Sequence, residues 1–308
     1  MSINFESLIK KDRPEIKDNS IRSYLITLRK LNDNKALTTM TFLKDYDNII
    51  KILEPLKLTT KRNYLSSILV VLRAYNKKSF DKVLDKYKKL LAELNLEYNN
   101  KIDSHEKSDK QKENWVQLSE LKKGLKLYKK EISDREIKTK QTLSKRDLDL
   151  LKKYLVVALY TAQAPVRLNY ANMEIINSAK DIKPKQNYLL IKGRNVKHFI
   201  FQEYKTAKTN GRVDKKVPKE LNSILNFYLK YNKSKHLLND SKGSPMRANA
   251  LGKFITKAFD FTDKKITLNL LRHVYISSKI DLDAIKAQKK LAKDMMHSES
   301  TQESYAKV

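Results

Sequence analysis

The chain has 308 residues, enough for two ordinary domains, and sets 65 lysines and arginines against 35 acids, a formal charge of +30. Such an excess costs self-repulsion unless a polyanion neutralises it, so nucleic acid is the expected partner, and nothing favours an anionic membrane surface over it. The absence of cysteine excludes disulfides, zinc–thiolate sites and thiolate catalysis. No apolar run reaches membrane-spanning length and the polar start MSINFESLIKKDRPEIKD has no signal-peptide core, so the expected location is inside the cell, with DNA.

Taken in order, Ile21, Tyr24, Leu25, Leu28 and Leu31 recur at helical spacing and predict a helix over 19–31. Thr59-Thr60 opens a second, through Tyr64, Leu65, Ile68, Leu69, Val71 and Leu72, and weaker patterns predict helices near Phe42 to Leu53 and Phe80 to Leu94. Few glycines or prolines punctuate them, so residues 1–110 read as a small helical domain. The stretch NNKIDSHEKSDKQKEN (99–114) has one apolar residue and cannot bury a core. A basic amphipathic stretch from Trp115 to Ile132 and a polar segment to Thr142 follow, so residues 111–142 are expected as a linker region and 143–308 as a second domain.

That second domain starts on a capping box, Ser144 with Asp147 three later, ahead of the run Leu148, Leu151, Tyr154, Leu155, Ala158, Leu159. Pro165 stops this helix and leaves Arg167 in a turn. Short runs at 188–192, 198–204 and 212–217 predict a small antiparallel sheet, with Asn210-Gly211 as a reversal signal in the turn 205–211. Helical patterns follow through Leu221 to Tyr228 and Ala248 to Phe259. A helix over 267–278 places Leu268, Leu271 and Tyr275 on one face with Arg272 beside it, and another helical span leads to a turn at His297. The five histidines show no zinc-ligand spacing and there is no Gly-rich phosphate loop, so neither a metal nor another cofactor is expected.

The C-terminal residues carry a resemblance. Leu271-Arg272-His273, then His297-Ser298, then Tyr305 resemble the second-arginine, histidine and nucleophile boxes of the tyrosine recombinases, or lambda-type integrases. Upstream, Thr161-Ala162-Gln163-Ala164-Pro165-Val166-Arg167 resembles the first-arginine box, and Tyr204-Lys205-Thr206 stands where the family's hairpin lysine is expected. Asn269 occupies the place usually held by His or Lys, and eight positions separate His297 from Tyr305, one fewer than in many members. Ser20 to Tyr24 and Thr60 to Tyr64 resemble helices of the family's DNA-gripping, core-binding domain.

The resemblance implies a mainly α fold: a helical core-binding domain followed by a mixed α+β catalytic domain with a small antiparallel sheet. It implies a site-specific DNA recombinase or integrase, of a virus or mobile element given the richness in Lys, Asn, Ile and Tyr. Tyr305 would attack the scissile phosphate of double-stranded DNA and leave a 3′-phosphotyrosyl link. Arg167 and Arg272 would clamp the phosphate, Lys205 (with Lys208 in reserve) would protonate the leaving oxygen, and His297 would assist, supported by Asn269 and His273. Four protomers would assemble on DNA with no small-molecule substrate; three residues after Tyr305 leave no trailing helix, so other surfaces are expected to hold the assembly. A type IB DNA topoisomerase shares the constellation, and a non-catalytic DNA-binding protein on a recombinase scaffold is the reading from another class.

Overall fold

Residues 67–72 of one helix are all buried, so that helix must be surrounded rather than laid on a surface. It is the fourth of the first unit, whose helices are α1 (Phe5–Asp12), α2 (Asp18–Leu31), α3 (Tyr46–Leu53), α4 (Leu58–Tyr75) and α5 (Asp81–Asp103). The computed structural model describes residues 2–193 and 196–305, and the chain divides into units Met1–Lys107 and Ser108–Val308. In the first, α1, α2 and α5 pack on α4, burying Phe5, Leu28, Leu31, Leu65, Ile68 and Tyr87 together. Tyr87 hides its ring and donates its hydroxyl to the Leu43 carbonyl at 3.0 Å, since an unpaired buried hydroxyl would be costly. Helix α1 has no counterpart in the periodicity reading. It is two turns long and buries only Phe5 and Ile9, with Asn4 capping it through the Ser7 N–H.

The second unit runs α6 (Asp109–Asn114), α7 (Leu118–Asp134), α8 (Lys145–Thr161), β1 (Glu174–Ile176), β2 (Tyr188–Lys192), β3 (Val196–Phe201), the single turn α9 (Ala207–Asn210), β4 (Val213–Lys216), α10 (Lys219–Tyr231), α11 (Ala248–Ala258), α12 (Leu268–Ser277), α13 (Leu282–Asp294) and α14 (Glu299–Tyr305). Helix α8 is its axle: every residue from Leu155 to Thr161 is buried, and α7, α10 and α11 pack around it. Ser144 caps it, accepting from the Asp147 N–H at 3.1 Å.

The expected linker is not one. Residues 111–142 carry α7, and Val116, Leu121, Tyr128, Ile132 and Ile137 belong to the core of the second unit. Charge dominates local composition there, but one apolar stripe is enough to seat the helix against α8. Gly124 makes the approach close: a Cβ there would stand 2.4 Å from the Phe261 ring. The division of the chain falls after Lys107, and α5 continues to Asp103 through residues whose polarity marked them as a break.

The chain is thus mainly helical with one small sheet, ordered β1-β2-β3-β4. The sheet is mixed rather than antiparallel, because β1 pairs parallel to β2, Glu174 opposite Tyr188. A three-residue strand reached by a crossover leaves no alternation to read. Leu189 and Phe199 face the α8 core, while Ile176, Tyr188, Leu190 and Ile200 form a smaller cluster on the other face. The expected reversal at Asn210-Gly211 is a longer β3–β4 connection in which α9 ends at Gly211 with φ of 66°, closed by Tyr204 donating its hydroxyl to the Gly211 carbonyl at 2.7 Å. No described helix is long and apolar enough to cross a membrane.

Candidate functional site

Arg167 lies in the turn that leaves α8, and its backbone is braced from both sides. Tyr160, buried in the last turns of α8, donates its hydroxyl to the Arg167 carbonyl at 3.2 Å. Two residues on, the Asn169 carbonyl accepts from Asn187 Nδ2 at 3.1 Å, and Asn169 Nδ2 reaches the Glu203 carbonyl at 3.3 Å. Beneath the turn Tyr170 is fully buried, its ring against Tyr160, Phe199 and Phe201 at centroid distances of 5.6, 5.2 and 5.9 Å. Burial pushes the phenols of Tyr160 and Tyr170 well above their ordinary range, so both are neutral and neither is a nucleophile; Tyr160 donates to Arg167, and the Tyr170 hydroxyl accepts from Gln163 Nε2 at 2.7 Å. The Arg167 side chain itself is exposed.

Lys205 starts from the same neighbourhood, two residues after Glu203, and is also exposed; Lys208 stands on α9. Neither sits on a tight hairpin. The tight reversal in the sheet is the β2–β3 connection, where Lys192 ends β2, is exposed, and precedes Gly193 with φ of 63°; Arg194 and Asn195 lie outside the described residues. Lys192 therefore stands at a tighter sheet reversal than Lys205. The signal was a Lys-Gly pair ending the run 188–192.

Arg272 is half-buried on α12, which Thr267 caps through the Leu270 N–H. The buried stripe is Leu270, Leu271 and Val274, with Leu268 and Tyr275 half-buried, so the packed face is turned about one position from the expected one. Asn269 and His273 are exposed. The alternative for a half-buried arginine is an internal ion pair with Asp281 or Glu174, and neither is made: Asp281 instead caps α13, accepting from the Asp283 and Ala284 N–H groups. Among the described residues Arg167, Lys205, Lys192 and Arg272 form no ion pair, although acids elsewhere in the unit are used this way, as in the Arg212–Asp214 pair at 2.6 Å.

His297 and Tyr305 are brought together at a ring-centroid distance of 5.9 Å. The turn between α13 and α14 does this. Met296 takes a left-handed φ of 57°, its N–H donates to the Lys293 carbonyl at 3.0 Å and the His297 N–H to Ala292 at 3.1 Å, a Schellman ending. Ser298 then caps α14 through the Thr301 N–H at 3.2 Å, and Tyr305 ends α14 two turns later. Nδ1 of His297 is 3.2 Å from the Ser298 carbonyl oxygen. A carbonyl can only accept, so Nδ1 is the donor here, while Nε2 is buried and has no hydrogen-bond partner among the described residues. Tyr305 is 68 % exposed.

The structure thus joins Arg167 to the Lys205 segment, and His297 to Tyr305, while Arg272 is tied to neither pair by a hydrogen bond or ring contact among the described residues. A cavity of 810 Å³ bounded by Tyr128, Lys152, Tyr231 and Asn239 contains none of these side chains. The candidate residues with exposed side chains stand on open surface. No group of three or more His, Asp or Glu residues suited to a metal occurs among the described residues.

The fold and the candidate residues define a mainly helical, two-unit protein with unneutralised surface cations and a His–Tyr pair. No family model matches the chain, and no curated protein matches it. Among solved structures it is similar to the crystal structure of XerA recombinase, at 12 % identity and a TM-score of 0.34, over 99 % of this chain and 93 % of that one.

Proposed function

We propose that the chain cuts and rejoins DNA strands through Tyr305, as a site-specific recombinase or integrase of the tyrosine type, working inside a cell on double-stranded DNA for a virus or mobile element. The observation that carries this is the pairing of an exposed phenol with an imidazole 5.9 Å away between ring centres, whose Nε2 has no hydrogen-bond partner among the described residues. In the proposed step the Tyr305 oxygen bonds to phosphorus, the bond to the 5′-oxygen breaks, the phenolic proton passes to His297 Nε2, and a lysine ammonium protonates the departing oxygen. Arg167 and Arg272, lacking carboxylate partners, neutralise the two non-bridging oxygens as charge builds. Energy is kept in the phosphotyrosyl bond, so rejoining needs no cofactor. The first unit grips the duplex, and four protomers exchange strands.

One detail qualifies that grip: Arg62 is not free, since its guanidinium lies 3.7 Å from the Tyr98 ring centre and donates to Asn95 Oδ1 at 2.7 Å. Lys205 and Lys192 compete for the acid role.

The test begins with nicked duplexes randomised around the nick, from which denaturant-resistant adducts are captured and sequenced. The full chain gives an adduct and Tyr305→Phe gives none; no adduct on any duplex would leave only a DNA-binding protein. A 5′-bridging phosphorothiolate, whose leaving group needs no proton, restores cleavage to whichever of Lys192→Ala and Lys205→Ala removes the acid. Relaxation of plasmid by a monomer, with no exchange between marked sites, would make it a topoisomerase.

A further inference from the structure

We infer that Asn187 is a positioning residue for Arg167, an inference that rests on the strand-cleaving reading above. The side chain is 6 % exposed, yet every hydrogen-bonding position of its carboxamide is used. Oδ1 accepts from the Gln202 and Glu203 N–H groups, each at 2.9 Å, and Nδ2 donates to the carbonyls of Asn169 at 3.1 Å and Glu203 at 2.9 Å. Its own carbonyl accepts from the Glu174 N–H at 3.1 Å, at the start of β1. The side chain therefore ties the turn carrying Arg167 to the exit from β3, while the backbone carbonyl of the same residue opens the β1–β2 ladder.

The target of the brace is the telling part. Nδ2 could serve stability on any carbonyl, but it takes the one two residues beyond Arg167, while Tyr160 takes the carbonyl of Arg167 itself. Among the described residues the side chain of that arginine has no hydrogen-bond or ion-pair partner. A side chain with four torsions reaches a phosphate reproducibly only if its Cα is fixed, and a displacement of about 1 Å at a charged donor is on the order of 10²-fold in rate. An apolar residue at 187 would fill the space without setting an orientation. A carboxamide with all four bonds made fixes both distance and angle.

Two variants separate its halves. Asn187→Asp keeps an acceptor for Gln202 and Glu203 and removes the donor to Asn169; Asn187→Ala removes both. On a nicked duplex captured as above, single-turnover cleavage is expected to fall about 10²-fold in each, measured where both variants are folded although their thermal midpoints are lowered by the lost buried bonds. A methylphosphonate at the scissile position carries no charge to be neutralised, so it should restore most of the loss in both variants, as in Arg167→Ala. Asn187→Asp cleaving the ordinary diester within about threefold of the unmutated chain would overturn the inference. So would a loss that persists on the methylphosphonate when Arg167→Ala is restored, or failure of both variants to fold, since the side chain would then serve stability alone. If the unmutated chain forms no adduct on any duplex, the strand-cleaving reading falls first, before any Asn187 variant is measured.

Discussion

The turn after α8 and the segment after α12 make opposite use of the same chain. Around Arg167 the backbone is cross-braced by Tyr160, Asn169 and Asn187 over a fully buried aromatic cluster. From Ile276 onward, Ile276, Ile280, Leu282, Leu291, Met295, Met296 and Tyr305 are all exposed and α13 buries only Ala292. The second region is ordered by its own turns, the Schellman ending and the Ser298 cap, more than by the body of the unit. Low local burial is where local opening is least costly. In the proposed reaction this divides the labour: the phosphate-binding charge is set in advance, while the nucleophile stands on a segment able to adjust to the strand.

The largest test of that contrast is Tyr170→Ala. It removes the ring under the braced turn and should cost about 3–5 kcal/mol of stability, read by chemical denaturation, with the turn's protection from hydrogen exchange lost as well. A loss under about 1 kcal/mol would mean that the aromatic cluster does not hold the turn. Next comes the start of α8. The hydrogen bond from Lys140, at 3.1 Å, holds the Asp147 carboxyl below its ordinary range. A lowered carboxyl adds stability above its unfolded pKa and loses it as pH falls through the folded value. Asp147→Asn should therefore lower the thermal midpoint at pH 7 and by less at pH 3; an equal drop at both would rule out the ion pair as the cause. The smallest effect belongs to the thin segment. Met296 is 94 % exposed in a left-handed conformation, so Met296→Gly should stabilise by up to about 1 kcal/mol and leave the rest of the unit's exchange pattern unchanged.

Where local signals act alone, the sequence was readable. The Ser144 cap, the strand at 188–192 and the α12 helix all follow from short patterns of apolar residues and side-chain oxygens. What failed depends on distant partners. Helix α7 passed for a linker because its polar face is long and its apolar stripe meets α8 and Phe261. Strand β1 is three residues whose partner lies across a crossover. Asn187, in the polar run Lys183-Pro184-Lys185-Gln186, looked like any turn residue, since four bonds to segments up to 18 positions away leave no trace in its neighbours. For the candidate site, the nearness of His297 to Tyr305 and of the Arg167 turn to the Lys205 segment comes from turns and side-chain bonds that no local pattern shows, and telling Lys192 from Lys205 needed to know which reversal is tight.

The fit of Gly124 against Phe261, with the Tyr128 hydroxyl on the Ala258 carbonyl at 2.9 Å, joins positions about 130 residues apart. During synthesis α7 can seat against α8 as soon as Thr161 has emerged, but the part of it that meets Phe261 stays uncovered until that residue has been made. The first unit, whose contacts close within its own 107 residues, has no such delay. A nascent chain stalled between the two lengths would carry a folded head and a half-built body, the state in which this protein is most exposed to aggregation.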